Sequence, residues 1–317
     1  MKAAVVETFE QAPRYRDFAE PAAQADEVIV AVRAAALSQL VRAQAAGRHY
    51  TSAKPPFVPG ADGVGLLADG RRVYFAFPRA PVGAMAERVA VKAANIVPLP
   101  DDVDDITAAA IANPGMSSWA ALRERVAFQP GEAVLVNGAN GASGRLAIQI
   151  AKHLGAARVV ATARNPDNEA ELRALGADAF VPLGQPREAL TRRFREEIAT
   201  GVDVVLDYLW GPSAEALLAA ATGHTPGEAA RRIRFVNIGG LGGAAIDLPA
   251  SVLRSSGVEL SGSGLGSLSN AALIRSIAGV MQAVRAAGLR VEARAVPLSQ
   301  VESAWAEAGG ARVVFTF

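Results

Sequence analysis

Hydrophobic positions in the first hundred residues fall into short runs that Pro, Gly and Asp separate. The length of these runs, and their content of branched and aromatic residues, are typical of β-strands. One stretch, LSQLVRAQAAGRHY, interrupts them and predicts a short helix followed by a loop. The pattern therefore predicts a small barrel-like β domain with the strands AAVVE, EVIVAVRAA, GVGLLA, RRVYFAF and ERVAVKA.

From about Ala112 the pattern changes to strand-like runs that alternate with helical periods. The run DVVLD is almost wholly apolar, as expected for a strand that is covered on both faces. Such alternation predicts a parallel sheet with helices on both sides. The predicted strands are 133–137, 158–162, 179–182, 203–208 and 234–238, and the predicted helices include 169–175 and 186–199.

The chain after Pro249 continues with the strand GVELSGS and a long helix predicted over about 269–287. The last segments, VEARAVPL, SQVESAWAEA and ARVVFTF, alternate like the N-terminal region. We therefore expect a first domain over 1–112 and a second over 113–250, with 251–317 adding a last strand to the second and then returning to the first. GVELSGS and ARVVFTF are predicted sheet edges.

A glycine-rich turn follows the strand AVLVN and precedes an amphipathic helix over 145–154. Glycines at 138, 141 and 144 would let backbone N–H groups approach a pyrophosphate, whose charge the helix dipole favours. The alternative is a tight turn that needs glycine only for packing. Arg145 either contacts phosphate or covers the start of the helix. The predicted cofactor contacts in this turn are Asn140, Gly141, Ala142, Ser143 and Gly144.

The end of the next strand, VVATARN, discriminates between the two nicotinamide dinucleotides. An NAD site has an acidic residue here, which accepts the ribose 2′-hydroxyl. This chain has Arg164 and Asn165 instead. A guanidinium binds a 2′-phosphate that an acid would repel, so the sequence favours NADPH. An ordinary surface role for Arg164 is the alternative.

Two further stretches predict cofactor contacts, although either could be an ordinary loop. FVNIGG ends a predicted strand, where a parallel sheet presents its ligands, and SGSGLGSLS is a second glycine-rich loop that would approach the nicotinamide. The stretch ATGHTPGEAARR predicts an exposed loop in which His224 is solvated. The predicted contacts of the first two stretches are Asn237, Ile238, Gly239, Gly240 and Ser263.

Composition narrows the functional classes. A formal net charge of +1 over 317 residues gives no electrostatic case for nucleic acid or a membrane surface. No apolar run is long enough for a signal peptide or a membrane span, so we expect a cytoplasmic protein. The chain has no cysteine and three histidines, which excludes thiolate metal sites and argues against a histidine cage. We therefore predict no metal.

These motifs, in this order, resemble the medium-chain dehydrogenase/reductase superfamily and, within it, the zinc-free quinone oxidoreductase branch. The resemblance implies an α/β fold with a GroES-like catalytic domain and an inserted Rossmann domain. It also implies a homodimer, and a cleft in which NADPH passes a hydride to a quinone or an α,β-unsaturated carbonyl compound. The motifs are PPFVPGADGVG, RVYFAF, NPGMSSWAAL, the glycine turn, LRALGADAFV, DVVLDYLWG and FVNIGG.

The resemblance also implies where the zinc ligands of zinc-dependent relatives would fall. Their cysteine falls on Ser38, and their Gly-His-Glu motif on Gly60, Ala61 and Asp62. Since both soft ligands are missing, we expect no catalytic zinc. Many zinc-free relatives have Asn in place of Ser38 and Asp in place of Val41, so the resemblance by itself does not imply that this chain shares their substrate recognition.

Hydride addition to a quinone or enone needs the acceptor carbon held near the nicotinamide and a donor near the developing oxyanion. The candidate catalytic residues are Tyr50, Ser38 and Asn113. Tyr50 is the preferred one because a phenol can donate a hydrogen bond and still lie against an apolar substrate, although it could merely line the pocket. Arg42 and His49 are either further polar contacts or exposed loop residues.

The leading hypothesis is an NADPH-dependent oxidoreductase that reduces quinones or activated C=C bonds without a metal ion. One alternative is an enoyl thioester reductase of polyketide or fatty-acid metabolism, which shares the fold and the hydride chemistry. Another is a catalytically silent NADPH-binding protein that senses the cofactor or serves as an interaction module.

Overall fold

A computed structural model describes residues 1–222, 230–307 and 310–317. His224, which the sequence predicts to be solvated in a loop, lies outside the described residues. The chain divides into two compact units, one of Met1–Asn113 with Leu273–Phe317 and the other of Pro114–Ala272.

Fifteen strands and nine α-helices are formed by the described residues. The N-terminal elements are β1 (Lys2–Val5), β2 (Arg14–Asp17), β3 (Glu27–Ala36), α1 (Gln39–Ala45), β4 (Asp62–Leu66), β5 (Arg72–Ala76), β6 (Arg88–Lys92), β7 (Ile96–Pro98) and α2 (Asp105–Ala120). The central elements are β8 (Ala133–Asn137), α3 (Ala142–His153), β9 (Arg158–Ala163), α4 (Glu169–Ala174), β10 (Ala179–Pro182), α5 (Arg187–Gly201), β11 (Val204–Asp207), α6 (Gly211–Ala220), β12 (Arg232–Asn237), α7 (Ala250–Arg254) and β13 (Gly257–Gly262). The last are α8 (Asn270–Ala286), β14 (Ala293–Pro297), α9 (Val301–Ala306) and β15 (Arg312–Thr316).

The first unit is built on a seven-stranded sheet in the order β14-β15-β3-β4-β5-β7, with β6 also paired to β3. Its core contains Val30, Phe75, Met85 and Phe315, all fully buried. Because β15 pairs with β14 on one side and with β3 on the other, the prediction of ARVVFTF as a sheet edge is wrong. Alternation of apolar and polar residues reports which face of a strand is buried, not how many neighbours the strand has.

The second unit contains six parallel strands in the order β10-β9-β8-β11-β12-β13. Every residue of β8 and β11 is buried, in agreement with the apolar runs AVLVN and DVVLD. The strand β13 forms one edge, as predicted for GVELSGS. An α/β fold with a β-rich GroES-like part and a Rossmann-type parallel sheet is thereby confirmed.

The point where the strand order reverses lies between β8 and β11. From β8 the chain proceeds outwards to β9 and β10, and then returns to form β11, β12 and β13 on the other side. In open parallel sheets, ligands bind outside the carboxyl ends of the strands at such a switch point. The turns after β8 and β11 are therefore the expected position of a ligand-binding site.

Candidate cofactor-binding site

The glycine turn after β8 leaves the N-terminus of α3 without a side-chain cap and with free space beside Gly141. The helix begins at Ala142 rather than at the predicted Arg145, and its N-cap residue Gly141 makes no side-chain capping bond. A Cβ atom built on Gly141 would meet no atom within 4 Å. Because the first N–H groups of a helix have no intrahelical acceptor, this end can bind an anion.

Two other glycines are required by the backbone of this turn. Gly138 has a φ of +91°, a conformation that side chains other than glycine rarely adopt. A Cβ on Gly144 would lie 2.4 Å from Gly138 O and 2.6 Å from the Cα of Ala139. Glycine at 144 thus lets the helix pack directly against the turn, as the third glycine of a dinucleotide-binding fingerprint does.

Arg145 covers the turn instead of leaving its guanidinium free for a phosphate. It donates to the backbone oxygen of Asn140 at 2.8 Å and to the side-chain oxygen of Asn140 at 2.7 Å. The same guanidinium pairs with Glu171. Of the two roles that the sequence left open for Arg145, these contacts favour covering the start of the helix.

Arg164 and Asn165 follow β9, the strand next to β8. The Arg164 side chain is exposed and makes no hydrogen bond or ion pair with any residue in the described part of the chain. The side-chain oxygen of Asn165 accepts from the backbone N–H of Asp167 at 3.1 Å, which caps a short 3₁₀ turn, Pro166–Asn168. Arg164 is therefore available to an anionic group, while Asn165 already has a local role.

The loop after β12 is held by backbone contacts. Ile238 N and Gly239 N donate to the Asp207 carbonyl at 2.7 and 3.1 Å, and Ser263 N donates to Asn237 O at 2.9 Å. Gly240 is exposed. The predicted cofactor contacts Asn237 and Ser263 thus lie at the carboxyl ends of adjacent strands, β12 and β13.

The candidate catalytic residues occupy three different settings in the first unit. Ser38 is buried and caps α1, since its hydroxyl accepts from Val41 N at 3.1 Å. Tyr50 is 77% exposed, and its ring lies 4.2 Å from that of His49. Asn113 donates its side-chain amide to Asp62.

Asp62 belongs to a buried polar cluster with Tyr74 and Arg312. Burial raises the pKa of the Asp62 carboxyl, and it raises the pKa of Tyr74 well above its usual value. The Asn113 amide and the charge of Arg312 stabilise the Asp62 carboxylate and oppose the rise in its pKa. Asp62 is therefore the neighbour that orients Asn113.

Arg42 and His49, the other two polar candidates, make local contacts. Arg42 donates to the backbone oxygens of Trp305 and Glu307, and its guanidinium lies 5.5 Å from the Trp305 ring centroid. His49 Nδ1 lies 2.7 Å from the Thr51 hydroxyl. Burial lowers the pKa of both side chains.

Sequence reasoning missed the residues that end β11. Asp207 is fully buried, and Tyr208, which follows it, is 8% exposed with its hydroxyl 3.1 Å from that of Ser117. Burial raises the pKa of Tyr208 to about 12, so this phenol stays protonated at neutral pH. The available signal was an acid and a tyrosine closing an otherwise apolar strand, DVVLDY.

The described residues contain neither a metal-ligating cluster nor a membrane-spanning helix. No group of three or more His, Cys, Asp or Glu side chains is arranged there to hold a metal ion. No helix in the same ranges is both long and apolar enough to cross a lipid bilayer.

Known dehydrogenases and quinone reductases are similar to this chain. A family model described as zinc-binding dehydrogenase matches residues 142–285. A probable NADPH-dependent quinone reductase, tdiC, of Emericella nidulans is 30% identical over 99% of each chain. The solved quinone oxidoreductase of Thermus thermophilus, whose complex with NADPH is also known, is 29% identical, with a TM-score of 0.81 over 100% of both chains. The polyketide synthase GfsB of Streptomyces halstedii is 36% identical over 49% of this chain but only 3% of its own length.

Proposed function

Because this chain belongs to the medium-chain dehydrogenase/reductase superfamily, in its NADPH:quinone oxidoreductase branch, we propose that it transfers a hydride from NADPH to a quinone or an α,β-unsaturated carbonyl compound without a metal ion. The observation that carries this proposal is the open helix start at the switch point of the parallel sheet, together with an exposed Arg164 that makes no ion pair within the described ranges.

The residues of the second unit fit a phosphorylated dinucleotide. The turn at Gly141, Ala142, Ser143 and Gly144 offers backbone N–H groups and space for a pyrophosphate. Arg164 binds the 2′-phosphate, with the amide N–H groups of Asn165 beside it. The loops with Asn237, Ile238, Gly239, Gly240 and Ser263 line the rest of the cofactor. Bound NADPH supplies the hydride, and the chain supplies position and hydrogen bonds.

Metal-free transfer rests on the sequence of the first unit. Ser38 and Ala61 stand where zinc-dependent relatives have their cysteine and histidine, and the chain has no cysteine at all. Since the Ser38 hydroxyl accepts from Val41 N, its role includes capping α1. Tyr50 or Asn113 donates a hydrogen bond to the substrate oxygen, and the final proton comes from a tyrosine, a ribose hydroxyl or water.

A second candidate substrate class is an enoyl thioester. The match to a polyketide synthase over about half of this chain favours it, because reduction of an activated C=C bond is the same chemistry on a carrier-bound substrate. Turnover of enoyl thioesters together with failure on free quinones and enones would select this candidate.

The proposed activity is tested by following NADPH oxidation with benzoquinone, phenanthrenequinone and a series of alkenals, before and after treatment with EDTA. We expect turnover with at least one of these acceptors, at a rate that EDTA does not change, because no step uses a metal ion. Loss of turnover after EDTA would contradict the metal-free mechanism. NADPH binding without turnover on this panel or on enoyl thioesters would contradict the proposed activity.

The protein also forms a homodimer in this proposal, through β13. Among the strands of the described residues, β13 is an edge of the six-stranded sheet, and Leu260 on it is 37% exposed. An edge strand presents unpaired N–H and C=O groups that a second copy can pair by two-fold symmetry. Light scattering after size exclusion should give about twice the 32.7 kDa of one chain. A single-chain mass would contradict the dimer.

A further inference from the structure

Asp207 lies at the end of β11, and its side chain is fully buried. Burial raises the pKa of the Asp207 carboxyl. Within the described residues no lysine or arginine pairs with this carboxyl. Its carboxylate instead accepts hydrogen bonds from four neutral donors on three different segments. These are Asn137 Nδ2 at 2.8 Å, Leu209 N at 3.1 Å, Trp210 N at 3.1 and 3.2 Å, and Asn237 Nδ2 at 3.3 Å.

The first connection runs from Asp207 to the glycine turn. Asn137, which Asp207 holds, accepts on its own oxygen from the Thr162 hydroxyl at 2.9 Å. The same hydroxyl accepts from the backbone N–H of Gly138 at 3.0 Å. Asn137 also donates to the Ser213 hydroxyl at 2.9 Å. The conformation of the first glycine is thus linked to Asp207 through two buried side chains.

The second connection is the turn directly after β11. Trp210 has a φ of 59°, which costs free energy for a residue with a side chain, and its N–H is held by the Asp207 carboxylate. The preceding Leu209 lies against the glycine turn, since a Cβ on Gly138 would be 2.8 Å from Leu209 Cγ. By holding the Leu209–Trp210 backbone, Asp207 also positions the Leu209 side chain that packs against the glycine turn.

The third connection reaches the loop after β12. The Asn237 amide donates to Asp207 and, at 2.9 Å, to the carbonyl of Gly239. The backbone of this loop is the segment that the proposed function assigns to the cofactor. The glycine turn, the turn after β11 and the loop after β12 are thus joined at one carboxylate, which does not itself reach the surface.

We propose that Asp207 is a positioning residue that holds the glycine turn, the Leu209–Trp210 turn and the Asn237–Gly239 loop in the one arrangement that binds NADPH. The inference rests on the proposed function, because that proposal assigns the glycine turn and the Asn237–Gly239 loop to the cofactor. A purely structural role would affect stability in proportion to the lost bonds and leave cofactor affinity unchanged. A positioning role lowers affinity beyond any loss of stability.

The test variant is Asp207→Asn, which keeps the shape of the side chain. An amide has one acceptor oxygen, and its NH₂ group faces donors where the carboxylate had a second oxygen. We expect the dissociation constant of NADPH, measured by fluorescence titration, and the KM for NADPH to rise by about tenfold or more. The kcat at saturating NADPH should change by less than about threefold, because no group that touches the substrate is altered.

The matched control is Glu197→Gln in the same unit. Glu197 is 4% exposed and pairs with Arg158 and Arg193, so the substitution also weakens a buried carboxylate network. It lies on α5 and has no bond to the three segments. We expect it to lower the melting temperature and leave NADPH affinity within about twofold of the wild type.

A second variant, Thr162→Val, removes the hydroxyl between Asn137 and Gly138 while keeping the side-chain volume. It should raise the dissociation constant of NADPH by about threefold or more. Since it acts through the same chain of bonds, the double variant should lose less affinity than the product of the two single effects. Should Asp207→Asn fail to fold, Thr162→Val carries the test alone.

The outcomes separate the two levels of the proposal. Wild-type protein that does not bind NADPH would overturn the proposed function and this inference together. Wild-type binding with an unchanged dissociation constant in Asp207→Asn, or in Thr162→Val where that variant stands alone, would overturn the positioning role only. An equal loss of affinity in Glu197→Gln would also overturn it, because affinity would then follow stability.

Discussion

Replacing Gly144 with alanine is expected to raise the dissociation constant of NADPH by about a hundredfold or more and to lower the melting temperature. The added Cβ would lie 2.4 Å from Gly138 O and 2.6 and 2.8 Å from Ala139 Cα and C. Because all three are backbone atoms, the clash cannot be relieved by rotating a side chain. Either the first turn of α3 or the glycine turn must shift, and the N–H groups that bind the pyrophosphate then move with it.

Gly141→Ala controls for the packing clash, because it adds the same methyl group where nothing lies within 4 Å. Its cost in stability is that of alanine at an N-cap, about 1 kcal/mol or less. If the pyrophosphate lies on this turn, the methyl group occupies its space and affinity falls by about tenfold. Wild-type affinity in Gly141→Ala would contradict the assignment of the turn to the cofactor, and wild-type affinity in Gly144→Ala would contradict the packing argument.

Arg164→Glu is expected to raise the KM for NADPH by about tenfold or more and to leave the KM for NADH nearly unchanged. The guanidinium is exposed and makes no ion pair in the described part of the chain, so its removal breaks no internal contact. NADPH and NADH differ only in the 2′-phosphate. A change that affects one and not the other therefore reports contact with that group.

Arg195→Glu provides the control for charge, since Arg195 is exposed on α5 in the same unit and the change of two charge units is identical. Steady-state kinetics with both cofactors should show no discrimination by this variant. An unchanged KM for NADPH in Arg164→Glu would remove Arg164 from the 2′-phosphate site. An equal rise in both variants would indicate a long-range field effect, which added salt would weaken.

Local pattern was enough to predict the glycine turn. An apolar strand, glycines and an amphipathic helix lie within about twenty residues, and the backbone conformation of each depends mainly on its own neighbours. The helix α3 begins three residues before the predicted start, because Ala142, Ser143 and Gly144 extend it without adding a large apolar side chain to its buried face. The position of Arg164 directly after the next strand was also predictable from the sequence alone.

The structure adds the surroundings of the candidate catalytic residues, which residue types alone do not show. The resemblance places Ser38 where zinc-dependent relatives have a cysteine, and the structure shows that its hydroxyl caps α1. Tyr50 was preferred for its phenol, yet 77% of it is exposed. Asn113 turned out to be held by Asp62, fifty-one positions away.

Residue types and their periodicity predicted two kinds of folding unit and the preference for NADPH, and a set of short motifs carried the family resemblance. Each of these signals lies in a stretch of adjacent residues. The neighbours of β15 and the contacts of Asp207 came from the assembled sheets. Asn137 and Asp207 are seventy positions apart, and Asp207 and Asn237 thirty, so no local pattern shows that they meet. Their bonds form because the order of strands in the sheet brings three carboxyl ends together, and that order is selected by packing over the whole unit.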